Sequence, residues 1–393
     1  MSEKSISGGI CAPQSFKAGS AACGIKKSGE LDLCILSSEE ICTAAGTFTR
    51  NAFRAAPVKV TMEHLSKDGR LQAVVVNSGN ANSWTGEQGI EDARAMAVLT
   101  AEEIGVHPWD VAVASTGAIG HYLPMEKVKE GIVEAASGLN KGGHELAAKA
   151  IMTTDTYAKE AAVDYGDFKI GGMAKGSGMI HPDMATMLAF LTTDAKVEPG
   201  ELSRALCAAV ERTFNLITVD GGTSTNDMVL AMASGASGKK LNAEEIEGPL
   251  YSLCSMLARS LVEDGEGATR FITVCIHEAV DEKEAKKAAM AVAESPLVKT
   301  AAFGGDPNWG RVIYALGSAF EELDPEGVQV MIGGLKVAEA GAPAEVDEEE
   351  LQQAVEGEKI EFDIYLGRGQ AEVEVWTCDL SYDYVKINAE YHT

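Results

Sequence analysis

Basic residues are scarce in this chain: 33 Lys and Arg stand against 59 Asp and Glu over 393 residues, a net charge of -26. No long Lys/Arg cluster offsets that excess, so most of the surface would repel a polyphosphate, which argues against nucleic acid and anionic membrane as partners. Aromatic residues make up only 6% although 46% of the chain is hydrophobic; the core is therefore expected to be built from Ala, Val and Gly more than from rings, and the composition does not indicate disorder. No run approaches about 18 apolar residues, and the start Met1-Ser-Glu-Lys-Ser-Ile-Ser-Gly-Gly has no apolar signal core. The cytoplasm is the expected location.

Close cysteine pairs are missing too. The eight cysteines, at 11, 23, 34, 42, 207, 254, 275 and 378, have neither zinc-site spacing nor the density of a disulfide scaffold, so reduced, buried thiols are expected. The seven histidines, at 64, 107, 121, 144, 181, 277 and 392, show no metal spacing. Gly176-Ser-Gly178 is followed by His181 where a dinucleotide fingerprint needs glycine, and no glycine-rich stretch ends in Gly-Lys-Ser/Thr. No cofactor and no metal is expected by these routes.

What is present is a stretch organised around one hydroxyl: Lys175-Gly-Ser-Gly-Met-Ile-His-Pro-Asp-Met-Ala-Thr186-Met-Leu-Ala-Phe190. Gly171, Gly172, Gly176 and Gly178 permit close approach of chain or substrate, and Pro182 discourages a helix through the junction. Met187 to Leu191 is a continuous apolar run closed by Thr192-Thr193-Asp194, short enough for a strand buried on both faces. A chain cut before Thr186 would give that residue a free α-amino group with pKa about 7.7 to 8.0, a recognised way to activate a weak hydroxyl nucleophile. The same residues also admit a packing role, with Met179, Met184 and Met187 as core filler, His181 as a loop residue and Ser115-Thr-Gly-Ala as an ordinary glycine turn.

Further blocks occur in order: Thr49-Arg-Asn-Ala-Phe-Arg-Ala-Ala-Pro57, Val76-Asn-Ser-Gly-Asn-Ala-Asn82, Ser115-Thr-Gly-Ala-Ile-Gly120, Ile151-Met-Thr-Thr-Asp-Thr156, Thr218-Val-Asp-Gly-Gly-Thr-Ser-Thr-Asn-Asp227, Asp264-Gly-Glu-Gly-Ala-Thr-Arg270, Gly305-Asp-Pro-Asn-Trp-Gly-Arg311 and Ile387-Asn-Ala-Glu-Tyr391. Together with the Thr186 segment, this colinear series resembles the ArgJ family of glutamate N-acetyltransferases, also called ornithine acetyltransferases, over nearly the whole chain. The resemblance implies self-cleavage between Ala185 and Thr186 into an α chain of residues 1–185 and a β chain of residues 186–393. Both chains would stay in one shared fold and assemble as an (αβ) oligomer. It implies acetyl transfer from N2-acetylornithine to L-glutamate in arginine biosynthesis, and some members also accept acetyl-CoA as donor.

Carried over residue by residue, the resemblance makes Thr186 the nucleophile and Thr116 with Gly117 the oxyanion-stabilising pair. Thr154, Lys175, Thr186, Glu266, Asn388 and Thr393 become the substrate-binding set. Mixed charges suit this reading, since both amino acids carry an α-carboxylate and ornithine a second amine. The sequence departs from the family pattern at Asp183, Gly222 and His392, and Asp183 lies near enough to the scissile bond to bear on self-cleavage. The nearest rival is an amidase or aminopeptidase with the same N-terminal threonine, handing its acyl group to water.

At roughly 150 residues per domain the length allows about two or three domains, and alternating strand-like and helix-like segments point to an α/β architecture. The resemblance narrows this to stacked β-sheets between helical layers, of the N-terminal-nucleophile kind, with a smaller α/β portion. Leu71-Gln-Ala-Val-Val-Val76 reads as a buried strand and Gly86 to Ile104 as a surface helix. Asp281 with Glu284 resembles a capping box opening a helix that Pro296 stops, and Glu348-Glu349-Glu350 opens another. Ile360 to Leu366 and Ala371 to Trp376 alternate strictly around Gly367-Arg-Gly-Gln370 and predict a hairpin.

Overall fold

The computed structural model describes residues 3–181 and 187–390. Ala185, Thr186 and Thr393, together with Pro182, Asp183, Met184 and His392, lie outside the described residues.

Alternation along the strands builds the larger unit. In Arg70–Asn80, Val74 and Val76 face one core while Ala73 and Val75 face another; in Val111–Ala118 the same division separates Ala112 and Ala114 from Val111 and Val113. Leu188–Thr193 and Met228–Ala233 divide likewise, with Leu188, Phe190, Met228, Leu230 and Met232 in the first core and Ala189, Leu191, Val229 and Ala231 in a third. Strands buried on both faces need a layer on each side. One continuous ladder provides the two inner leaves, because the long strand Leu33–Phe48 pairs with Arg70–Asn80 and Phe16–Ala21 through its first part and with Met228–Ala233 through its last. Its register slips between Ser37 and Cys42, where Glu39, Glu40 and Ile41 are exposed, and the sheet folds over there.

Helices Ala56–Asp68, Gly86–Ile104 and Met125–Ser137 cover one outer face, and Pro199–Glu211 with Ala243–Glu263 cover the other. The result is the expected pair of stacked sheets between helical layers. Leu71–Val76 and Gly86–Ile104 take their expected states, and Leu188–Thr193 is buried throughout. No helix among the described residues is long and apolar enough to cross a membrane. All eight cysteines are free; six are buried, but Cys23 is half-buried and Cys207, on the solvent side of its helix, is exposed.

The smaller α/β unit is a six-stranded sheet with helices Glu282–Ala293, Pro296–Gly304, Trp309–Ala319 and Glu348–Ala354 on one face. Here the expected hairpin is wrong. Lys359–Tyr365 and Ala371–Cys378 do not pair with each other; Phe271–Ala279 lies between them, parallel to the first and antiparallel to the second. Alternation specifies a strand's faces but not its neighbour, and the five residues between Tyr365 and Ala371 can span two strand spacings of about 4.8 Å each. The Arg368 and Gly369 amides both donate to the Glu278 carbonyl, so the link crosses over the end of the central strand.

Helix ends also differ in detail. Asp281 accepts from the Glu284 amide at 2.8 Å, but Glu284 reaches back to the Val280 amide, one residue earlier than a capping box requires. The full reciprocal box forms at Asn242 and Glu245. Pro296 heads a new helix capped by Ser295, because the proline ring suits the first helical position.

Leu230, 1% exposed between the leaves, tests this arrangement. Leu230→Ala should destabilise the protein by about 2–5 kcal/mol, read as a lowered unfolding temperature by calorimetry; a loss below about 0.5 kcal/mol would contradict the packing, since that is the level of a surface substitution.

Candidate active site

The site grows from the end of the parallel pair Arg70–Asn80 and Val111–Ala118. Ser115 donates to Asn77 Oδ1 at 2.6 Å, and Asn77 Nδ2 donates to the Asn80 carbonyl at 2.8 Å. The register slips beside Thr116 and Gly117. Gly117 has φ +130°, and a Cβ there would sit 2.3 Å from the Gly79 carbonyl carbon and 2.5 Å from the Asn80 nitrogen. Only glycine fits, and its lack of a side chain lets the two strand ends approach. Asn226 clamps the turn by donating to the Ala81 and Ser115 carbonyls at 2.7 and 2.8 Å.

The strand Lys169–Lys175 delivers the next group. Lys175 is buried, and its Nζ lies 3.3 Å from Thr116 Oγ1. Burial lowers the Lys175 pKa against the opposing pull of Asp155, Asp227 and Glu266. The following residues touch the rest of the set in turn. The Gly176 amide donates to Asp155 Oδ1 at 2.7 Å, and the Ser177 hydroxyl is 2.7 Å from Thr154 Oγ1. The Ser177 carbonyl accepts from the Glu266 amide at 2.8 Å. A Cβ on Gly178 would fall 2.4 Å from the Glu266 carboxyl carbon, so that glycine is what admits Glu266.

Glu266 sits just beyond the helix Ala243–Glu263, and the C-terminal helix Tyr382–Glu390 brings Asn388 Nδ2 within 2.8 Å of Glu266 Oε2. Ser381 holds that helix by donating to the Gly267 carbonyl at 2.6 Å. Thr116, Lys175, Thr154, Glu266 and Asn388, separated by up to 272 residues, thus meet along Lys175–Gly178. His181 faces Glu294 of the smaller unit.

Sequence reasoning passed over the ionic support beneath. Lys159 Nζ lies 2.7 Å from Asp155 Oδ1 and 2.5 Å from Asp264 Oδ2, with all three side chains out of solvent. Thr156 adds its hydroxyl and amide to Asp264. Burial alone would raise the Asp155 pKa, yet Lys175, Lys159 and the Gly176 amide carry it below its ordinary value. Asp227 goes the other way: burial holds it well above the carboxylate range despite the Met187 amide, 3.1 Å from Oδ1, and Lys175. Asp155, Asp227 and Asp264 lay inside blocks read only as wholes; Lys159 carried no signal at all.

The ArgJ family model matches residues 17–393. The chain belongs to the ArgJ family. A relative from Symbiobacterium thermophilum described as arginine biosynthesis bifunctional protein ArgJ is 46% identical over 400 residues, 99% of each chain. One from Streptococcus thermophilus with the same description is 45% identical over 403 residues, 99% of this chain and 100% of its own. Among solved structures, an ornithine acetyltransferase from Mycobacterium tuberculosis complexed with ornithine is 39% identical over 46% of this chain and 98% of its own, with a TM-score of 0.44. Membership of the ArgJ family makes this protein an enzyme, an acyltransferase of arginine biosynthesis.

The buried Asp155 should leave a pH signature. Its folded pKa is lowered, so the stability it contributes is complete above the unfolded value of about 3.9 and disappears as pH falls through the lower folded value. The difference in unfolding free energy between wild type and Asp155→Asn should therefore be widest above about pH 4 and shrink on further acidification, as denaturant titrations at several pH values would show. A difference constant with pH would remove Asp155 as a buried carboxylate.

Proposed function

We propose that this chain is a self-processing glutamate N-acetyltransferase whose nucleophile is Thr186. The observation that carries the reading is the meeting of Thr116, Lys175, Thr154, Glu266 and Asn388 around Lys175–Gly178, the segment that runs in sequence toward position 186. Met187, the next residue, is tied by its amide to Asp227 and by its carbonyl to the Met228 amide. A fixed follower gives a preceding nucleophile a rigid base.

Maturation begins when the Thr186 hydroxyl attacks the Ala185 carbonyl. The acyl group moves from nitrogen to oxygen, and water cleaves the ester, releasing an Ala185 carboxyl and a Thr186 α-amine. Residues 1–185 and 186–393 remain as α and β chains of one fold. In turnover the acetyl carbonyl of N2-acetylornithine lies against Thr116 and Gly117, Thr186 Oγ attacks, and its own amine takes the proton. Ornithine departs with that proton and leaves an acetyl ester on Thr186. The amine of L-glutamate then attacks the ester, giving N-acetylglutamate and restoring the hydroxyl. The description of the relatives as bifunctional supports acetyl-CoA as a second donor to the same ester.

Lys175 has a defined part in this scheme. A Thr hydroxyl offers one hydrogen and two lone pairs; with Lys175 Nζ donating to Thr116 Oγ1, the Thr116 hydrogen is left for the developing oxyanion. Glu266, oriented by Asn388, supplies negative charge for an ornithine amine, and Thr154 and Thr393 complete the substrate set.

Mass spectrometry of the purified protein tests the scheme most directly. Wild type should yield a fragment beginning at Thr186 that gains one acetyl group with N2-acetylornithine and loses it on addition of glutamate. Thr186→Ala should stay uncut and inactive, while Thr186→Ser keeps part of both activities; acetyl transfer by the alanine protein would end the proposal. Loss of acetyl to water at a rate indifferent to glutamate would favour an amidase instead. Thr116→Val, which keeps shape and removes the oxyanion donor, should lower kcat by about 10²–10³-fold in steady-state assays. A kcat close to wild type would take Thr116 out of the oxyanion site.

A further inference from the structure

The face of the smaller sheet opposite its four helices carries a group of side chains that the acetyl-transfer scheme does not use. Inward residues Ile272, Val274 and Ile276 leave Thr273, Cys275 and His277 pointing the other way, because strand side chains alternate. Asp363 is the register partner of Cys275 on the parallel neighbour, and Glu374 its partner on the antiparallel one. Cys275 Sγ, a His277 ring nitrogen and an Asp363 oxygen all lie within 4.8 Å of one another. His277 Nε2 is 2.9 Å from Asp363 Oδ1, Glu374 Oε2 is 3.8 Å from Cys275 Sγ, and Glu372 Oε2 is 3.8 Å from His277 Nδ1. Among the described residues this is the one group of three or more such side chains gathered that closely.

We propose that Cys275, His277 and Asp363 form a binding site for a borderline-soft divalent cation of the zinc class. Thiolate, imidazole and carboxylate are the donors such ions take, and tetrahedral coordination at about 2.0–2.3 Å puts ligand atoms roughly 3.3–3.8 Å apart. The three groups need only small side-chain rotations to reach that spacing, with the ion replacing the direct His277–Asp363 contact and the thiol proton leaving to solvent as Sγ binds. Glu374 or water would complete the coordination. Glu374 Oε1 accepts from Trp376 Nε1 at 2.6 Å, which orients its carboxylate as second-layer partners commonly orient metal ligands.

The surroundings fit a cation and supply a route. Glu361, Asp363, Glu372 and Glu374 all project from this face, beside Cys275 and His277. A cavity of about 620 Å³ is lined by Cys275, His277, Glu372, Glu374 and Trp376, with Arg212 and Lys283 among its walls.

Cobalt(II) provides the probe, since thiolate coordination gives a sulfur-to-cobalt charge-transfer band in the near ultraviolet and tetrahedral geometry gives intense visible bands. The full protein, stripped with a chelator and dialysed, should take up one Co2+ per 393-residue unit with both signatures, and Zn2+ should displace it. Cys275→Ser should lose the charge-transfer band, and His277→Ala and Asp363→Asn should each weaken binding by at least about tenfold. Circular dichroism and retained acetyl transfer establish that the variants are folded, since none of these residues belongs to the Thr186 site. No charge-transfer band in wild type, or a band that survives in Cys275→Ser and vanishes in Cys207→Ser, overturns the proposal.

Discussion

Four buried ionisable side chains hold the candidate site in place. Lys159 and Lys175 stand beside Asp155 and Asp264, away from solvent, and a charge removed from water is tolerable only if it is paired and hydrogen-bonded. Each member therefore specifies where the others must be. Asp155 fixes the turn after the helix His144–Ala150, the lysines fix two neighbouring strands, and Asp264 fixes the end of the helix Ala243–Glu263. Glu266 follows two residues later, so its position beside Gly178 is a consequence of the same constraint.

Close backbone approach is the second requirement, and it explains two glycines. Gly117 lets adjacent strand ends come together beside Thr116, and Gly178 lets the Glu266 carboxylate lie against the backbone. The opposite behaviour of Asp155 and Asp227 follows from their neighbours. Two lysines and an amide outweigh burial at the first, whereas burial dominates at the second.

The site was legible in sequence because its members fall in short blocks whose order survives folding. Thr116, Gly117, Thr154, Lys175, Glu266 and Asn388 were all named from such blocks, and the described members converge. Lys159 was invisible because a lone lysine in an alternating strand looks like a surface charge; its burial depends on Asp264, 105 residues away. The Cys275, His277 and Asp363 group was hidden for a similar reason, since two ligands lie two residues apart but the third arrives from a different strand.

Sequence alone determined what short-range rules govern: which faces of each strand are apolar, where helices begin, which positions demand glycine, and a strongly acidic charge balance. It could not determine which strand lies beside which. Lys359–Tyr365 and Ala371–Cys378 have every local mark of a hairpin, yet Phe271–Ala279 separates them. Backbone hydrogen bonding is indifferent to identity, so neighbours are chosen by how whole apolar faces pack, and that choice belongs to the tertiary structure. Pairing of buried charges is decided at the same level, because the cost of an unpaired ion arises only after the core has closed around it.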